Sequence, residues 1–127
     1  MATETSDLTG VKKTVQLYFD GLHKSDISLL KQAFHPASTI SGYGGDGTLT
    51  ILSLDQFLSF VETIPSPEAN GVEYDMEILS VDQTGNTAAI KVRDFYMGCD
   101  FTDYLHLIEI GNEWLIVGKV FHFDPRE

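Results

Sequence analysis

The stretch "TAAIKVRDFYMGCDFTDYLHLIEIGNEWLIVGKVFHF" constrains the fold more than any other part of the chain: it is three runs of β-branched and aromatic residues separated by two short glycine-containing breaks. Successive side chains on a strand point to opposite faces, and glycine at a break supplies the backbone freedom of a tight hairpin turn. The pattern predicts strands near 87–97, 101–110 and 113–123, joined as an antiparallel meander. With Gly98-Cys99 and Gly111-Asn112 as two-residue turns, Asp94 stands opposite Asp103, Val92 opposite Leu105, Ile90 opposite Leu107, and Leu107 opposite Ile116. One face then collects Ile90, Val92, Leu105, Leu107, Trp114, Ile116 and Val120, which is a core face. The same face carries Asp94, Tyr96, Asp103 and His122 at one end, while Lys91 and Arg93 point the other way. A slip of one residue would invert the assignment, so it depends on the turns.

The opposite face carries Phe95, Ile108, Ile110, Leu115, Val117, Phe121 and Phe123 beside Lys91, Arg93, Tyr104, His106 and Lys119. That is more apolar surface than a monomer leaves bare, and it predicts a homodimer through this face.

Upstream, the periodicity changes. Leu8, Val11, Val15, Tyr18, Phe19 and Leu22 recur at steps of three and four, the stripe of a helix ending near 21–24. Ser25 or Asp26 caps a second, short helix with Ile27, Leu30, Ala33 and Phe34, which Pro36 ends by restricting His35. "STISGYGGDGTLT" reads as two short strands around a glycine-rich turn, a candidate lid and not a phosphate loop. Ser53 and Gln56 form a capping-box pattern ahead of a third helix with Leu54, Phe57, Leu58, Val61 and Ile64, stopped by Pro65 and Pro67. A further strand is expected at 72–81.

Composition excludes several classes of function. With 19 acidic against 8 basic residues and a formal charge of −11, the chain would repel a phosphate backbone, so no nucleic-acid partner is expected. "MATETSDLTG" has no basic region followed by an apolar stretch, which predicts neither a secretory signal nor a membrane partner and favours the cytosol. A single cysteine, Cys99, excludes an internal disulfide and a thiolate metal cluster. His35, His106 and His122 match no ligand spacing, so no metal is expected.

Four local strings, "VQLYFDGLHKSD", "LLKQAFHPASTISGY", "LSLDQFLSFV" and "DYLHLIEIGNEWLIVGKVFHFDP", resemble the NTF2-like superfamily, in the branch of SnoaL-like and lumazine-binding proteins. The resemblance covers about residues 9–125. It implies an α+β fold, a cone in which three N-terminal helices pack on a strongly curved, mostly antiparallel sheet and leave a pocket inside. It further implies that the outer sheet face is the dimer surface, while the length of 127 residues by itself predicts one domain, 1–127, with a loose tail at 1–6. It says little about activity, since superfamily members include isomerases, dehydratases, hydrolases and transport factors, and no residue set here singles out a pteridine ring.

Catalytic members of the superfamily place an Asp, His or Tyr at the inner end of the sheet, where this sequence offers Asp94, Asp103, Tyr96 and His122. Two facing carboxylates cannot both ionise cheaply in a pocket, so one should hold a proton near neutrality and suit proton transfer. His122 could shuttle that proton, and Tyr96 could donate to an oxyanion. Alternatively, both carboxylates sit solvated at a wet rim. His35 either bonds the last carbonyls of the second helix or lines the pocket. Tyr18, Phe19, Phe34, Phe57, Phe101 and Trp114 are expected inside the cone, where Tyr18, Phe57, Phe101 and Trp114 are candidate ligand contacts. Two functional classes stay open: cofactor-free acid/base chemistry on a small organic ligand, with Asp94, Asp103 and His122 catalytic, or a non-catalytic module that binds such a ligand or another protein without turnover. The first requires a carboxyl group titrating well above its usual value.

Overall fold

The computed structural model describes residues 8–126; the tail expected at 1–6 lies outside the described residues. The elements run α1 (Thr9–Lys24), α2 (Ile27–Ala33), β1 (Phe34–Tyr43), β2 (Leu49–Ser53), α3 (Leu54–Glu62), β3 (Met76–Thr84), β4 (Thr87–Tyr96), β5 (Cys99–Ile110) and β6 (Glu113–Pro125). The strands form a curved, unclosed sheet in the order β2-β1-β6-β5-β4-β3, antiparallel except where β1 lies beside β6. The three helices cover its concave side, giving the α+β cone that the resemblance implied. No helix among the described residues is long and apolar enough to cross a membrane.

Local chemistry explains the helices. In α1 the stripe Val11, Val15, Tyr18, Phe19 and Leu22 is buried, and the Thr14 hydroxyl donates to the Trp114 carbonyl at 2.6 Å, fastening the helix to the start of β6. The Asp26 carboxylate accepts from the Ser28 amide at 2.9 Å and caps α2. The capping box of α3 is formed on both sides, Gln56 N–H to Ser53 Oγ at 3.2 Å and Ser53 N–H to Gln56 Oε1 at 2.9 Å. Helix α2 stops before the residues expected to end it. Phe34 is already extended, and Pro36 falls inside β1, where pairing with β6 shifts between Phe34 and Thr39 because proline has no N–H for the ladder.

Two features of the meander differ from the expected register. The β4–β5 turn is Met97-Gly98, with φ of 54° and 74°. A type I′ turn takes positive φ at both central positions and favours glycine at the second, where "MG" places it and "GC" does not. Asp94 consequently pairs with Phe101, Val92 with Asp103 and Ile90 with Leu105, two residues from the expected register. A slip of two preserves the face, so Asp94 and Asp103 remain on the concave side as diagonal neighbours. The Gly111-Asn112 turn and the Leu107–Ile116 pair are as expected.

The second difference reverses half a strand. Leu107 pairs with Ile116 but His106 pairs with Gly118, leaving Val117 as an extra residue in β6. This β-bulge inverts the phase of everything after it. Trp114 and Ile116 face the core before the bulge; after it Lys119 is buried, Phe121 and Phe123 pack against the core, and Val120 is 52% exposed. The expected placement of Val120 and His122 inside, and of Lys119, Phe121 and Phe123 outside, is therefore corrected.

Gly42 makes the reversed strand fit. It pairs with Phe121, and a Cβ at this position would lie 2.6 Å from the Phe121 carbonyl oxygen and 2.7 Å from its ring. Gly42→Ala is expected to destabilise the protein by about 1–3 kcal/mol, read as a lowered urea midpoint at unchanged m-value.

Candidate functional site

The concave side encloses a cavity of about 470 Å³, within the range of small-molecule sites. Its walls are mostly apolar, with Leu22 from α1, Ile40 from β1, Leu52 from β2, Phe57 and Phe60 from α3, Phe101 from β5, and Phe121 and Phe123 from β6. Gly44 and Gly45 of the β1–β2 turn also border it. Phe101 and Phe123 stack with ring centroids 5.1 Å apart. Against this apolar lining stand the polar side chains of Asp94, Lys119, Gln56, Tyr96 and Thr50.

Asp94 and Asp103 form the centre of the site. They are 1% and 0% exposed and lie beside each other as diagonal neighbours on β4 and β5. Asp94 lines the cavity, whereas Asp103 lies behind it and accepts a hydrogen bond on Oδ2 from the Tyr18 hydroxyl at 2.6 Å. Asp94 Oδ2 and Asp103 Oδ1 are buried without a hydrogen-bond partner among the described residues. Burial pushes the Asp94 carboxyl well above the ordinary carboxylate range, the neighbouring charge of Asp103 adds to the rise, and Lys119 and Arg93 oppose it. Tyr18 is pushed well above the usual phenol value by burial and then by the charges of Asp103 and Asp94, so it remains an O–H donor. The wet-rim alternative does not describe these two carboxylates.

Lys119 supplies the opposite charge. It is 5% exposed, and its Nζ lies 4.5 Å from the ring centroid of Phe57, 5.0 Å from Tyr18 and 5.8 Å from Phe121. Its charge works against the rise of the Asp94 carboxyl.

The other expected site residues divide. Phe57, Tyr96 and Phe101 line the cavity, and the Tyr96 hydroxyl lies 3.4 Å from Ser25 Oγ. Tyr18 acts through Asp103 instead of lining the space itself. Trp114 is buried at the opposite end of β6 under α1, where a Cβ on Gly10 would come within 2.6 Å of its ring. His35 has neither expected role: it lies within β1, is absent from the cavity wall, and its Nδ1 accepts from the Ala37 amide at 3.0 Å. His122 is turned outward by the bulge and sits 3.3 Å from Asp124 on the surface, so it cannot shuttle a proton to the carboxyl pair. Among the described residues no group of three or more His, Cys, Asp or Glu is placed to hold a metal ion. Sequence reasoning missed Lys119, Phe121, Phe123 and Gln56 as cavity residues. A signal existed for the first three, because a glycine inside a strand pattern, here Gly118, marks a bulge.

Comparison with known proteins places this geometry in a family. Residues 6–122 match the family described as "putative lumazine-binding". A curated relative, Aldolase FrzH from a Cladobotryum species, is 28% identical over 122 residues, covering 96% of this chain and 95% of that protein. An NTF2-like protein of unknown function from Silicibacter pomeroyi superposes with a TM-score of 0.86 at 23% identity, over 98% of this chain and 100% of that one. Another, from Shewanella baltica, has a TM-score of 0.81 at 26% identity, over 92% and 93% of the two chains. A chain matched by the family from ahead of its first helix into its last strand, and folded as these cones are, belongs to the putative lumazine-binding family of NTF2-like proteins.

Proposed function

We propose that the cavity binds a compact, mostly apolar organic molecule with a carbonyl group and moves a proton to and from the carbon beside that carbonyl. The observation that carries this reading is the buried, adjoining Asp94–Asp103 pair with Asp94 facing the cavity. In this role Asp94 is the group that touches the ligand, Asp103 holds the shared proton, and Tyr18 fixes Asp103 through its 2.6 Å hydrogen bond. Tyr96 and Lys119 are the cavity donors that would hold the ligand oxygen as it gains negative charge. The aldolase name of the relative supports the reading, because aldol chemistry passes through proton removal beside a carbonyl. Binding without turnover draws on the same apolar walls and differs in needing no proton transfer.

The reading is tested by following hydrogen–deuterium exchange at the carbons beside the carbonyl of cyclohexanone by NMR. Asp94→Asn should slow protein-dependent exchange by about 100-fold while leaving the thermal melt cooperative. Equal rates in the two proteins would remove Asp94 from the chemistry and leave binding alone.

The raised Asp94 pKa also fixes a sign for stability. Between the usual carboxylate value of 3.8 and the raised one, the folded state keeps a proton that the unfolded chain has released, so stability falls as pH rises through that window. Asp94→Asn removes the titration. The variant should gain on the wild type by up to about 1.4 kcal/mol per pH unit across the window, measured by urea unfolding at a series of pH values.

The outer face supports a homodimer as the working form. Tyr104, Ile108, Ile110 and Val120 lie there 46%, 37%, 45% and 52% exposed, a patch that Val120 has joined and Phe121 and Phe123 have left. Light scattering should give twice the chain mass for the wild type and the single mass for Ile108→Lys; a wild-type monomer would discard the dimer.

A further inference from the structure

We propose that Lys119 is a covalent site, its amine condensing with the carbonyl carbon of the bound molecule to form an iminium ion, so that the ligands are aldehydes or ketones. This rests on the acid–base reading above and extends it, since the lysine becomes the group that makes the neighbouring carbon acidic.

The placement of the amine carries the inference. Lysine side chains ordinarily run along a surface to water or to a carboxylate. Lys12, Lys13, Lys24 and Lys31 are exposed and Lys91 is half-buried, whereas Lys119 is carried inward by the Val117 bulge and borders the cavity. Its Nζ has aromatic rings at 4.5–5.8 Å, and among the described residues no carboxylate oxygen lies within 4.0 Å. Among the described residues no ion pair accounts for its burial. A lysine desolvated in an apolar pocket is the setting in which Schiff-base chemistry occurs. A proton acceptor is also at hand, because Asp94 borders the same cavity and interacts electrostatically with Lys119.

The steps balance with these groups alone. The ammonium passes one proton to the carboxyl pair, and the freed lone pair attacks the carbonyl carbon, forming the C–N bond while the C=O π pair moves to oxygen. Oxygen takes a proton from the pair and nitrogen returns one, giving a carbinolamine. The nitrogen lone pair then expels the hydroxyl, protonated by the pair, as water. The result is an iminium ion, one water and a carboxyl pair in its starting state. Asp94 next removes a proton from the adjacent carbon, and the C–H electrons flow to the iminium nitrogen as an enamine.

The test uses the full chain and pentane-2,4-dione, which condenses with a primary amine to a stable enaminone that absorbs in the near ultraviolet. The expected result is one adduct per chain, of diketone mass less one water, mapped to Lys119 and formed about tenfold or more faster than at the other lysines. Lys119→Met should lose the fast phase with its thermal melt retained. Adducts spread evenly over the surface lysines, or a wild-type Lys119 that stays unmodified, would overturn the proposal without reference to any variant. The cyclohexanone exchange separates the two ideas: exchange retained in Lys119→Met but lost in Asp94→Asn overturns the covalent step and keeps proton transfer, whereas fast labelling of Lys119 with exchange unaffected by Asp94→Asn supports the covalent site and removes Asp94.

Discussion

One extra residue in β6 organises the whole concave side. Without Val117 between Ile116 and Gly118, strand periodicity would carry Val120 and His122 into the hollow and leave Lys119 in water. With it, a lysine and two phenylalanines turn inward toward the carboxylates of β4 and β5. The bulge thus decides both the shape of the cavity and its chemistry. Gly42 on the neighbouring strand is complementary to it, giving Phe121 room where any side chain would collide.

The polar centre of this apolar surround is held by burial, one short hydrogen bond and a nearby cation. Two carboxylates side by side are unfavourable, and burial alone already disfavours ionisation of Asp94. Burial holds the Asp94 carboxyl toward its neutral form, the Tyr18 hydroxyl satisfies an oxygen of Asp103, and Lys119 borders the same cavity as Asp94. Such an arrangement is costly where stability alone is concerned, since apolar side chains of similar volume would fill the hollow more favourably. It borders a cavity of about 470 Å³, in contrast to the exposed ion pairs of Asp75 and Asp100 with Arg126, which link strand ends in water.

The relatives divide fold from function along the same line. Backbones with a TM-score of 0.81–0.86 share the cone at 23–26% identity, and those proteins carry no assigned activity. The scaffold is common because a curved sheet under three helices encloses space with many sequences, and the fold alone does not fix a function.

Local rules made much of this legible in the chain itself. The helical stripe of α1, the capping box at Ser53 and Gln56, the Gly111-Asn112 turn and the sharing of one face by Asp94 and Asp103 all follow from interactions within a few residues. The last survived a misplaced turn only because the slip was of two residues and the pleat has a period of two. The inward turn of Lys119, the outward turn of His122 and the removal of His35 and Trp114 from the cavity were decided elsewhere. They depend on how β6 pairs with β1 on one side and β5 on the other, and on which end of the sheet the helices leave uncovered. Alternation in a single strand carries no record of where its partner forces a residue out of register, so those positions were settled only when the strands met.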